Sequence, residues 1–135
     1  MKIWARPFRV LITLWAGSLW SLLWVATVLF RFLNDRHTAG FIAARLFSIE
    51  TYLGFAAAAL ALMLPRRGRF RWGFLAVAPL AVNEWLLKPV MNQAQSRGSA
   101  LGLGFGAWHG VSAGLYLLAC VCVVVLIYQD EYRHA

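Results

Sequence analysis

Residues 105–128 read FGAWHGVSAGLYLLACVCVVVLIY, a run with no acidic residue and no Lys or Arg. It lacks the period-two alternation of a barrel strand and is far longer than the roughly ten residues such a strand needs. A membrane-crossing helix needs about 20 mostly apolar residues, and this run supplies them. Near its start sits His109, between Trp108 and Gly110, an imidazole inside an otherwise hydrocarbon segment.

Three further stretches of the 135-residue chain have the same character. Together the four predict helices at about 8–33, 40–64, 70–91 and 105–128. Composition agrees: 61% of residues are hydrophobic and 13% are charged, against about 25% charged in ordinary soluble domains. The expected fold is therefore all-α: an integral membrane four-helix bundle in one domain, antiparallel and up-down. The first apolar run is longer than the 7–15 residues of a signal-peptide core, so it is expected to be a retained span.

Basic residues set the expected orientation. Lys2, Arg6, Arg9, Arg66, Arg67, Arg69, Arg71 and Arg133 fall on one side of the spans, whereas Arg31, Arg36, Arg45, Lys88 and Arg97 fall on the other. The richer side is expected in the cytoplasm, together with both termini. Trp4, Phe70, Trp72, Tyr128 and Tyr132 would mark the inner interface, and Phe30, Trp85, Phe105 and Trp108 the outer one. The net charge of +8 is then a topology signal with affinity for anionic headgroups. It is split among short segments, which argues against nucleic acid as a partner. The lipid bilayer is the expected one, with further copies of the chain or other membrane subunits beside it. Short loops and a basic inner side suit a bacterial inner membrane.

A charged group at the centre of a spanning helix costs about 2.5–3.5 kcal/mol on insertion scales, which makes such residues candidates for function. The second span carries Arg45 and Glu50, the third Asn83, Glu84 and Lys88, and the fourth His109, Ser112 and Tyr116. The first span offers only hydroxyls, Thr13, Ser18, Ser21 and Thr27, until Arg31. By rise per residue these groups lie in the outer half of the membrane, where they are expected to share a recess. Glu84 and Lys88 are four apart in the favourable order for an ion pair. Arg45 is expected to reach Glu84, and Glu50 to reach His109 or Asn83. His109, Ser112, Tyr116 and Cys120 fall on one helical stripe. Cys120 and Cys122 point about 200° apart and are expected to be packing residues. Gly54, Ala57, Ala58 and Ala61 form a small-residue face for close helix approach. Pro79 and Pro89 should disturb the third span. Asp35 or Thr38 should cap the second helix, and the polar-then-glycine stretch 92–104 should be the longest loop.

The segments LNDRHTAGFIAARLFSIETYLG (33–54), VNEWLLKPVMNQ (82–93) and FGAWHGVSAGLYLL (105–118) resemble the transmembrane-protein-205-like family of small four-helix membrane proteins. The likeness covers nearly the whole chain, and its sharpest element is His-Gly-x-Ser. It implies a four-span protein, picks out Arg45, Phe47, Asn83, Pro89, His109, Gly110 and Ser112, and brings no settled activity. More distantly the architecture resembles copper-resistance membrane proteins and a small haem-containing protoporphyrinogen oxidase.

Two classes of function follow. In one, the polar cluster ties together a membrane-complex subunit or scaffold. In the other, it serves metal or haem binding, redox chemistry or small-solute transport. His109 and Met91 would then supply a soft pair suited to copper or haem iron.

Overall fold

The structure is a computed structural model, and it describes residues 5–63 and 71–132 of the chain. The basic turn between the second and third spans, and the terminal segments carrying Lys2, Trp4, Arg133 and His134, lie outside the described residues. The elements are α1 (Ala5–Phe32), α2 (Arg36–Met63), α3 (Arg71–Val82), a π-helical turn (Asn83–Leu87), α4 (Lys88–Arg97) and α5 (Phe105–Tyr132). Four helical segments are long and apolar enough to cross a membrane: Arg6–Phe32, His37–Met63, Gly73–Arg97 and Phe105–Gln129. No strand occurs among the described residues.

The core forms because apolar residues recur at helical spacing on inward faces. On α1 these are Phe8, Ile12, Trp15, Leu19 and Leu22; on α5 they are Tyr116, Ala119, Cys120, Val123 and Leu126. Against these larger side chains α2 sets Ala57, Ala58 and Ala61, and α3 sets Ala76 and Leu80. Gly54 permits the closest approach. A Cβ added there would stand 3.3 Å from Leu80 Cδ1 and 3.3 Å from Trp15 Nε1. The helices contact one another in the cyclic order α1, α2, α3, α5, with α3 against α5 the most extensive pair. Cys120 and Cys122 are both buried free thiols, as packing residues should be.

The outward faces are as apolar as the core. Leu14, Trp24, Leu60, Leu86, Leu118 and Val121 are all exposed. Contiguous apolar surface of this kind is foreign to a soluble monomer and is what hydrocarbon solvates.

Three of the differences from the expected boundaries have a local reason. First, α2 begins at Arg36 because Asp35 caps it: the His37 backbone N–H donates to Asp35 Oδ1 at 2.9 Å, and the Thr38 hydroxyl donates to the same carboxylate. Second, the third span does not stop near Met91. It stays helical to Arg97, where Gly98 in the left-handed region (φ 82°) ends it. Hydropathy fades at Met91 because the helix turns polar there, and helicity does not depend on hydropathy.

Third, the expected long loop is a short, closed turn. Ala100 and Leu103 exchange two backbone hydrogen bonds, 2.9 and 3.0 Å, around Leu101 (φ 51°) and Gly102 (φ 80°). Positive φ at both central residues is the type I′ geometry. The Trp108 indole then pins the turn by donating to the Ala100 carbonyl at 2.9 Å.

The prolines act differently from one another. The helix runs through Pro79, and the break in register comes later, over Asn83–Leu87. There the Lys88 N–H reaches back five residues to the Asn83 carbonyl. Pro89 has no N–H to continue the four-residue ladder, so a slip just before it forfeits no bond that Pro89 could have made. Turns of this kind insert one residue and often mark functional sites.

Candidate functional site

Polar side chains within the spans form three interhelical groups. In the first, Glu50, near the midpoint of α2 and 6% exposed, accepts a hydrogen bond from Ser18 Oγ on α1 at 2.7 Å. The same hydroxyl lies 2.8 Å from the Trp15 carbonyl. One turn on, the buried Tyr116 hydroxyl donates to the Leu19 carbonyl at 2.8 Å, and its ring meets Phe47 edge-on with centroids 4.8 Å apart. The middle of the bundle is thus stitched from α1 to both α2 and α5.

The second group joins α2 to the third span. Lys88 Nζ is 2.8 Å from Glu84 Oε1 and donates to Ser48 Oγ at 2.5 Å. Ser48 Oγ in turn lies 2.9 and 3.1 Å from the two Glu84 oxygens and 3.0 Å from the Ala44 carbonyl. Its single proton serves one of these acceptors at a time. Glu84 is 13% exposed and Lys88 36%, so the group sits at the edge of the bundle. The third group is a single bond: Ser112 Oγ donates to Asn83 Oδ1 at 2.6 Å, joining α5 to the π turn.

Of the eight expected cluster residues, then, Glu50, Asn83, Glu84, Lys88, Ser112 and Tyr116 make interhelical or ion-pair contacts, in separate groups. The ion pair Glu84–Lys88 forms as expected. The expected pair Arg45–Glu84 does not form: Ser48 and Lys88 occupy Glu84, while Arg45 is exposed with its guanidinium carbon 5.3 Å from the centre of the Phe41 ring. Glu50 meets neither His109 nor Asn83, because it faces α1.

His109 is the clearest correction. It is exposed, and its ring stacks on Phe105 with centroids 5.9 Å apart. The stripe placing it with Ser112, Tyr116 and Cys120 has the right azimuth. However, residues 105–107 and 109–111 are all exposed, so no neighbouring helix covers that stripe over the first turns of α5. Ser18 and Ser48 are the partners that sequence spacing did not assign. A hydroxyl is a weak signal in a helix, because it also satisfies itself on the preceding turn.

The donor set does not fit a buried metal or haem. His109 faces outward, Met91 lies partly buried on α4, and no group of three or more His, Cys, Asp or Glu comes together among the described residues. No chemical step is derived through such a group.

A family model described as a domain of unknown function, DUF4149, matches residues 10–100. That stretch holds Ser18, Ser48, Glu50, Asn83, Glu84 and Lys88 and stops before α5. No curated protein and no solved structure matches the chain. The chain belongs to the DUF4149 family.

Proposed function

We propose that this member of the family is a multi-pass protein of a bacterial cytoplasmic membrane, built as an antiparallel up-down bundle with both termini inside. Its role, on this proposal, is that of a non-catalytic subunit or scaffold in a membrane complex. The eight-to-five division of basic residues supports the orientation. The capped junction between α1 and α2 and the type I′ turn before α5 would both lie on the outer side.

One observation carries the functional reading. Glu50, Asn83, Ser112 and Tyr116 each bond a neighbouring helix, while buried Thr51 bonds the Phe47 carbonyl of its own helix. Such interhelical pairs hold helices in register in a medium that offers no hydrophobic force between them. The resemblance to the transmembrane-protein-205-like family is compatible with this and adds no activity.

Native gel electrophoresis of mildly solubilised membranes, with an absorption spectrum of the purified protein, tests the proposal. A discrete assembly larger than the single chain is expected, and it should weaken in step with the melting temperature in Ser112→Ala and Glu50→Gln. Migration as a lone chain overturns the scaffold reading. So does a stoichiometric Soret band, or bound copper that is lost in His109→Ala.

A further inference from the structure

The α2–α3 face carries hydrogen-bond donors that find no acceptors among the described residues. The Lys88 ammonium has three N–H groups; one goes to Glu84 and one to Ser48. The third finds no acceptor among the described residues. The Arg45 guanidinium has five N–H groups, and its one contact there is with the Phe41 ring. Both side chains sit on the same stretch of surface. Arg45 precedes Ser48 by three residues on α2, hence within one turn on a neighbouring azimuth, and Lys88 leans directly on Ser48.

Their depth is equally informative. Lys88 opens α4, whose sequence KPVMNQAQSR is polar, while Leu86 and Leu87 just before it belong to the apolar part of the rod. Lys88 therefore marks the boundary between hydrocarbon and headgroup. A lysine there would ordinarily extend toward water, but Glu84 and Ser48 hold this one to the flank of the bundle.

Just beneath, the surface is aromatic. Phe55 and Trp85 stack with centroids 5.2 Å apart and planes 10° from parallel, and Tyr52 is 6.4 Å from Phe55. Trp85 and Tyr52 are more than half exposed. Two cations against one carboxylate leave this face one positive charge in excess. Below them lies a flat apolar floor.

We propose that the α2–α3 face binds one anionic phospholipid, its phosphodiester between Arg45 and Lys88 and its acyl chain over the Phe55–Trp85 stack. A phosphodiester supplies acceptors only and one negative charge, matching both the unfilled donors and the excess charge. The aromatic floor selects a lipid over free phosphate. The proposal rests on insertion in a bilayer and is independent of the scaffold role.

The test uses the full chain, delipidated in detergent, with dioleoyl phosphatidylglycerol added in mixed micelles. The comparison arms are phosphatidylcholine with the same chains, dioleoylglycerol and inorganic phosphate. Phosphatidylglycerol should raise the melting temperature saturably and remain bound, one per chain, in native mass spectrometry. Phosphatidylcholine should bind more weakly, and dioleoylglycerol and phosphate should have no effect.

Arg45→Gln should lower phosphatidylglycerol affinity about tenfold, the loss expected for one charge-assisted hydrogen bond; Arg45→Lys should retain most of it. If Arg45→Gln melts lower without lipid, the decisive variant is Arg45→Gln with Lys88→Gln and Glu84→Gln, which removes both cations and the carboxylate together and must lose the preference for phosphatidylglycerol. Equal binding by wild type and the decisive variant overturns the proposal. Equal effects of phosphatidylcholine or of phosphate alone do the same.

Discussion

Replacing Lys88 by methionine keeps the bulk of the side chain and leaves the Glu84 carboxylate with a hydroxyl as its remaining partner. Removing one member of a fully buried pair costs about 3–5 kcal/mol. Glu84 is 13% and Lys88 36% exposed, and solvent at the edge of the bundle discounts that figure to about 2–3 kcal/mol. Glu84→Gln is milder. Its amide oxygen still accepts from Lys88, and the released ammonium can extend to the interface, so about 1 kcal/mol is expected. With both substitutions no charge is stranded, and the double variant should lie within about 1 kcal/mol of wild type. The coupling is then about 2–4 kcal/mol. Reversible unfolding in mixed micelles titrated with a denaturing detergent measures all four corners of the cycle. Single-variant losses that add within about 0.5 kcal/mol would mean that the two groups do not interact across the π turn, and the 2.8 Å contact would have no energetic meaning.

Further outcomes follow from other contacts. Tyr116→Phe should destabilise by about 1 kcal/mol in the same unfolding assay, because the Leu19 carbonyl keeps its helical donor when the phenol is lost. Gly54→Ala should be nearly tolerated, whereas Gly54→Leu should lose about 1–3 kcal/mol or more as Trp15 and Leu80 are forced aside; equal melting temperatures would refute the close approach at Gly54. Leu101→Asn should raise stability, since Asn accepts positive φ more readily and Asn-Gly favours the type I′ turn; a fall would refute that geometry. Hydrogen bonds from the Thr38 hydroxyl and the His37 N–H hold the Asp35 carboxyl below its ordinary value of 3.8. The cap is therefore complete above 3.8 and is lost as pH falls through the lowered value. Amide exchange at His37 should rise over that acid range, and Asp35→Asn should flatten the dependence.

The four spans were legible because lipid imposes a length and a composition together: any helix crossing it must show about 20 apolar residues. The small-residue face of α2, the inert cysteines and the Asp35 cap were legible for similarly local reasons. What could not be read was which stretch of each face a neighbouring helix covers. His109 shares the stripe of Ser112 and Tyr116 but lies on the exposed first turns of α5. The polar end of α4 is helical, yet hydropathy reports where a helix meets lipid rather than where it ends.

A spacing within α2 itself keeps two of its polar side chains apart. Ser48 and Glu50 are two residues apart, so at about 100° per residue they point about 200° from each other. Glu50 turns to Ser18 on α1, and Ser48 therefore turns the opposite way, to Glu84 and Lys88 on the third span. One helix with polar groups on opposite flanks cannot bring both into one cavity; it can only bind a neighbour on each side. The cost of two polar faces in lipid is offset when each fixes a different helix contact, as Glu50 does with α1 and Ser48 with the third span.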